Sequence, residues 1–397
     1  MATSLLSAVP MAPRDPILGV TEAFNADERP AKVNLGVGVY YDDNGKVPLL
    51  ECVKRAERQL VETPLARSYL PIDGMPAYDQ AVRLLVFGAD HPAVAEKRVL
   101  TAQTLGGTGG LKVGADLLRR LAPGAAVWIS EPSWENHRAL FENAGFEVRS
   151  YPYYDPATKG LDFAAMIAGL RAIPAGSIVV LHACCHNPTG VDPTPEQWKI
   201  VQETVFAAGL VPFLDLAYQG FAAGIDTDAA VVRAFAAATN PVFVASSFSK
   251  SFSLYGERVG ALSIVAASAD EAARTLSQLK RLVRTNYSNP PTHGSQIVSL
   301  VLNTPELRRL WESELAQMRD RIRAMRERLV SSLGPDYAFV ARQRGMFSYS
   351  GLGKDQVRRL REQHAIYAID SGRICVAALN TRNVATVAEA IAAVTAG

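Results

Sequence analysis

Cysteine is scarce in this chain, with four in 397 residues at Cys52, Cys184, Cys185 and Cys375. They form neither a CxxC pair nor a disulfide framework. Cys184 and Cys185 are adjacent in an apolar run and read as buried free thiols, which suits a reducing cytoplasm. An excess of charge is also missing: 41 basic residues against 39 acidic ones leave a formal net charge of +2. Without a basic block, nucleic acid and anionic membrane are poor partners, and a small molecule is the better default. No uninterrupted apolar run reaches the roughly 18 residues that span a bilayer. Met1 to Pro13 is mildly apolar but lacks the basic start and long apolar core of a secretory signal. Internal repeats and low-complexity stretches are absent as well.

What is present is a globular composition, 48% hydrophobic, in a length that suits about two domains. Seven apolar runs read as buried strands: Val99–Leu105, Ala126–Ser130, Glu147–Tyr151, Ile178–Cys185, Leu210–Leu216, Val242–Ser246 and Gly260–Ala266. Helical patterns lie between several of them, at Leu111–Leu121, Pro195–Ala207 and Ala229–Ala238. This alternation predicts an α/β layer fold with a mostly parallel sheet, whose strands are apolar throughout because both faces are covered. The last third differs. A long charged helix over Pro305–Leu333 breaks at Gly334-Pro335. Short strand candidates follow at Ala338–Ala341, Met346–Tyr349 and Arg373–Ala377, with helices at Lys354–Gln363 and Asn383–Val394. That pattern predicts a smaller α+β domain.

Open α/β sheets bind ligands at the carboxyl ends of their strands. Four segments there carry chemistry. Gly106-Gly107-Thr108-Gly109-Gly110 leads into a helix, where close backbone approach and the helix start favour a phosphate. His186-Asn187-Pro188-Thr189-Gly190 follows the fourth run. Asp215 sits near the end of the fifth, where a buried carboxylate needs a partner, with Tyr218 three residues on. Ser247-Phe248-Ser249-Lys250 follows the sixth, with Arg258 eight residues later. A lysine in apolar company is readily neutral and nucleophilic, and hydroxyls with an arginine make a phosphate pocket. Each feature alone also fits a turn, a cap or a surface charge. Their order supplies a phosphate cradle, partners for a phenolate and a pyridinium, and an imine lysine, which together are what pyridoxal 5′-phosphate requires.

The segments Asn34–Tyr40, Cys185–Gly190, Asp215–Phe221, Ser246–Lys250, Asn286–Pro291 and Gly345–Ser348 resemble the class I aminotransferases of the aspartate and aromatic amino-acid type. The similarity runs in order from about Asp15 to the C-terminus. The resemblance implies a fold-type-I transferase using pyridoxal 5′-phosphate, with amino acids and 2-oxo acids as substrates. It implies that Lys250 forms the imine and shuttles the proton. Asp215, backed by His137, would keep the pyridine nitrogen protonated, and Asn187 and Tyr218 would bind the ring oxygen. Trp134 would stack on the ring. Gly107, Thr108, Ser247 and Arg258 would hold the phosphate, with Tyr69 from a neighbouring subunit. Arg373 would fork onto the substrate α-carboxylate. Arg284, also from the neighbour, would meet a distal carboxylate, with Gly38 and Phe347 close to the substrate. His182 reads as structural.

The expected organisation is an N-terminal arm (1–13), a large cofactor domain (46–315), and a small domain combining 14–45 with 316–397, in a homodimer with shared sites. The expected reaction moves an amino group from tyrosine, phenylalanine or aspartate to 2-oxoglutarate. An aspartate aminotransferase with little aromatic activity is the first alternative. A nicotinamide-dependent oxidoreductase is more remote. Glu131, 22 residues after Gly109, would be its ribose acid, but the glycines do not extend to GxGxxG. A non-catalytic binding protein on the same fold is the last.

Overall fold

The computed structural model describes residues 4–12, 18–64 and 66–396. The expected arm and the first residues of the small domain therefore lie partly outside the described residues. All seven apolar runs become strands of one sheet: β1 (Val99–Leu105), β2 (Val127–Glu131), β3 (Val148–Pro152), β4 (Ile178–His182), β5 (Val211–Leu216), β6 (Val242–Ser247) and β7 (Val259–Val265). The spatial order is β1-β7-β6-β5-β4-β2-β3. Only β7 runs against its neighbours; the other pairings are parallel.

Successive side chains enter opposite cores. Val180 of β4 and Phe213 of β5 are in register and pack into one core, while Leu181 and Leu214, the next pair, pack into the other. Helices cover both faces, which is why these strands are apolar without alternation. They include α1 (Gly106–Leu121), α2 (Glu135–Asn143), α3 (Pro195–Ala207), α4 (Ile225–Ala236) and α5 (Ala269–Asn286). A capping box starts α3: Thr194 and Gln197 satisfy each other's backbone, and Pro195 occupies the first turn.

Two local expectations change. The run Ile178–Cys185 leaves the sheet at His182, because the N–H groups of Cys185 and His186 donate to the Asp192 carboxylate, each at 2.8 Å, and Cys185 takes φ 54°. Ala338–Ala341 is not a strand. A 3-10 turn at Pro335–Tyr337 winds directly into a helix over Ala338–Arg342 that buries Phe339 and Val340. So short an apolar run carries no period that separates helix from strand.

The long helix α6 (Pro305–Leu333) keeps its expected bounds and joins two parts of the molecule. In its first half, Trp311 Nε1 donates to the Ser251 carbonyl at 2.8 Å. In its second half, buried Arg326 donates to the carbonyls of Gly345 and Phe347 at 2.8 and 3.0 Å. Beyond it, β8 (Phe347–Tyr349) and β9 (Arg373–Cys375) pair antiparallel, with Tyr349 opposite Arg373. Val33–Asn34 pairs parallel with Ile366–Tyr367, tying the early chain to the late one.

Candidate active site

The parallel strands end along one edge, and a cavity of about 440 Å³ opens there. Because β7 runs the other way, its start lies on the same edge, which brings Arg258 beside the ends of β1 and β6.

At one end of the cavity, Gly107 and Thr108 stand in the first turn of α1, beside Ser247 and Arg258. The expected glycine loop is thus already helical. A Cβ on Gly107 would meet the Ser247 Cβ at 3.1 Å, so the two backbones approach closely there. Arg258 Nη1 donates to Ser249 Oγ at 3.3 Å and to the Tyr255 carbonyl at 2.9 Å, both neutral acceptors. A helix start, hydroxyls and a guanidinium without a carboxylate at these bonds form an anion cradle.

In the middle, Asp215 accepts from His137 Nε2 at 2.9 Å, and Ser133 Oγ bonds His137 Nδ1 at 2.9 Å. Burial pushes the Asp215 carboxyl up, but the His137 hydrogen bond and the charge of Lys250 outweigh it and hold it below the usual carboxylate range. His137 and Trp134 flank the start of α2, which sets their rings edge to face at 5.2 Å. Lys250 Nζ lies 4.9 Å from the centre of the Tyr218 ring. Burial lowers the Lys250 pKa; Asp215 opposes this and Arg258 adds to it. Burial and the charge of Asp215 push the Tyr218 hydroxyl well up, so it remains a donor.

At the far end, Arg373 is buried, with its side chain 1% exposed. Its Nη1 donates to Asn187 Oδ1 at 3.2 Å and its Nη2 to the Gly36 carbonyl at 2.7 Å, while Nε has no partner. Phe347 lies under the guanidinium at 4.5 Å, and a Cβ on Gly38 would come within 2.6 Å of that ring. A buried fork with an unanswered donor suits a carboxylate.

Twelve of the fourteen expected residues thus line one cavity. Tyr69 and Arg284 do not: Tyr69 is 90% exposed, and Arg284 is exposed on α5 with its Nη1 on Ser288 Oγ. Glu131 ends β2 away from the cavity lining, so the dinucleotide reading loses its ribose acid. Sequence reasoning passed over Tyr255, whose hydroxyl accepts the Tyr40 N–H at 2.9 Å, although it sits between Lys250 and Arg258. Ser249, one of the hydroxyls read just before the lysine, also lines the cavity. His182, read as structural, lines the wall with its Nε2 unpartnered; burial first, then His137, lowers its pKa to about 3, so it stays neutral.

Residues 30–391 match the family model for aminotransferase class I and II. The chain belongs to this family. As an aminotransferase it is 62% identical over 393 residues to the aspartate aminotransferase of Pseudomonas aeruginosa, covering 98% of this chain and 99% of that one. It is 53% identical to the aromatic-amino-acid aminotransferase of Escherichia coli, with 96% and 97% covered. Among solved structures, it is similar to the aromatic-amino-acid aminotransferase from Burkholderia pseudomallei covalently bound to pyridoxal phosphate. That match has a TM-score of 0.97, 64% identity, and covers 99% and 100% of the two chains. The nicotinamide and non-catalytic readings fall with this assignment.

Proposed function

We propose that this aminotransferase uses pyridoxal 5′-phosphate to move an amino group from tyrosine, phenylalanine or aspartate to 2-oxoglutarate. The observation that carries the reading is a buried arginine with an open donor, Arg373, in the same cavity as a buried, readily neutral lysine, Lys250. The cofactor fits the residues present. Gly107, Thr108, Ser247 and Arg258 would hold its phosphate, Asp215 its ring nitrogen, Asn187 and Tyr218 its ring oxygen, and Lys250 would hold it covalently. When bound, it supplies an electron sink for charge developing at the substrate Cα.

The remaining work falls to the chain. Arg373 grips the α-carboxylate and orients the substrate. Neutral Lys250 accepts and returns a proton at Nζ. Asp215, ionised and steadied by His137, accepts a hydrogen bond and resists protonation. Trp134 and Phe347 present apolar walls that exclude water and admit an aromatic ring. The large domain would span 46–315, and the small domain 14–45 with 316–397. A homodimer is supported by exposed Tyr69 and by an N-terminal arm whose Leu5, Leu6, Val9 and Met11 are between 66% and 97% exposed. In the dimer, Tyr69 and Arg284 would complete the partner's site. Four buried free cysteines support a reducing cytoplasm.

The test is kcat/KM for the half-reaction over aspartate, glutamate, tyrosine and phenylalanine, in the parent and in Arg284→Leu. Aromatic and dicarboxylic donors should both react in the parent. Arg284→Leu should lower aspartate and glutamate by about 100-fold, the scale of losing one partner of a buried charge pair, and spare phenylalanine. A parent that uses aspartate well but phenylalanine only at trace rates makes the chain a plain aspartate aminotransferase.

A further inference from the structure

The residue after Trp134 has no role in the site described so far. Glu135 opens α2, and its Oε2 lies 3.9 Å from Arg373 Nη1. Among the described residues it is the one carboxylate within ion-pair distance of that guanidinium. Other acceptors around Arg373, Asn187 Oδ1 and the Gly36 carbonyl, are neutral, and Nε is unanswered. The Arg373 side chain is 1% exposed, whereas that of Glu135 is 36% exposed. Tyr349, opposite Arg373 across β8 and β9, feels the same carboxylate: burial raises its hydroxyl pKa and the charge of Glu135 adds to it.

We propose that Glu135 is the resident counter-ion of Arg373 and sets how tightly the enzyme holds a substrate α-carboxylate. A buried guanidinium without an anion is costly, so a carboxylate at this distance stabilises the ligand-free site. Its partial exposure and the long separation make the pairing weak and easily shared. An arriving α-carboxylate meets a cation already partly neutralised, and it must also tolerate a second negative charge beside it. Both effects weaken binding of any monocarboxylate at Arg373 and leave its side chain out of account. Glu135 therefore acts through Arg373 as a positioning residue. It also joins the cofactor-bearing layer, through α2, to β9, so binding of a carboxylate loosens one contact between these parts as it makes another. A plain structural role exists, since an acid in a first helical turn stabilises the helix. That role does not reach ligand affinity.

The inference rests on the reading that Arg373 takes the α-carboxylate, and the test separates the two. The probe is 3-phenylpropionate, a monocarboxylate with no amino group, titrated calorimetrically into the pyridoxal-phosphate-loaded dimer. Glu135→Gln should tighten its Kd by about 2- to 5-fold, the range of a partly exposed charge interaction. Glu135→Asp, whose shorter side chain keeps the charge, should lie between the parent and Glu135→Gln and serves if Glu135→Gln does not fold. For phenylalanine and aspartate alike, KM should fall while kcat moves less. Arg373→Leu should abolish binding of the probe. Undiminished binding in Arg373→Leu overturns the site reading itself. Lost binding there, with Kd equal or weaker in Glu135→Gln, overturns only the role of Glu135, and a lower Tm with unchanged Kd assigns it to the helix alone.

Discussion

At the scale of single residues, the buried acid Asp79 stands outside the chemistry. Asp79 is 7% exposed in the helix Pro76–Phe87, and its Oδ1 has no partner, as is also true of the nearby Tyr287 hydroxyl. Burial and the charge of Asp73 push its pKa up to about 9, against the pull of Arg83 and Lys280. The folded protein thus keeps a proton that the unfolded chain releases near pH 4. Between those values the folded state binds more protons, so stability falls as pH rises from about 4 through 9. Asp79→Asn removes this dependence. Thermal unfolding should find the variant more stable than the parent by up to about 5 kcal/mol at pH 8, with the gap closing towards pH 4. A gap independent of pH would mean that Asp79 is already ionised in the native state. Nothing in the sequence singled this residue out: a charge in a helical pattern reads as a solvated face until packing covers it.

At the scale of elements, the anion cradle at the start of α1 depends on two backbones meeting. A Cβ on Gly260, at the start of β7, would stand 2.3 Å from the Gly106 carbonyl carbon, where α1 begins, and 2.7 Å from the Ser246 carbonyl oxygen on β6. Backbone cannot yield as a side-chain tip can. Gly260→Ala should therefore destabilise by about 3 kcal/mol or more and weaken cofactor retention. Gly256→Ala, with nothing within 4 Å, is the control and should match the parent. Equal melting temperatures and cofactor content in the two variants would remove the claim. The elements themselves were largely legible. Seven strands and helices such as Pro195–Ala207 and Pro305–Leu333 follow from long apolar or periodic runs, because burial on both sheet faces imprints a continuous signal. Ala338–Ala341 was misread as a strand because four apolar residues carry no period. The glycine segment was read as a loop because its helical first turn is held by packing against β6 and β7 rather than by propensity.

At the scale of the whole molecule, the cavity of one chain lacks two of its expected residues, and both are exposed. If a second copy supplies them, Tyr69→Phe subunits mixed with Lys250→Ala subunits should form heterodimers with one site holding both Lys250 and a borrowed Tyr69. Their activity should exceed that of either parent homodimer after verified exchange. No gain would confine each site to its own chain.

The chain by itself determined the α/β layering, the site loops that follow the strands, and the residue types that a pyridoxal phosphate site requires. These are written locally, in apolar runs, glycines and short motifs. What only the tertiary structure decided is who meets whom. Asp215 and His137 are 78 positions apart yet share a 2.9 Å hydrogen bond, and Arg373 reaches Asn187 across 186. The reversal of β7 brings Arg258 beside Ser247 and the start of α1, and Glu135 comes within 3.9 Å of Arg373 across 238 positions. Such contacts depend on strand order and helix packing, which follow from the balance of the whole core and leave no mark at any one position.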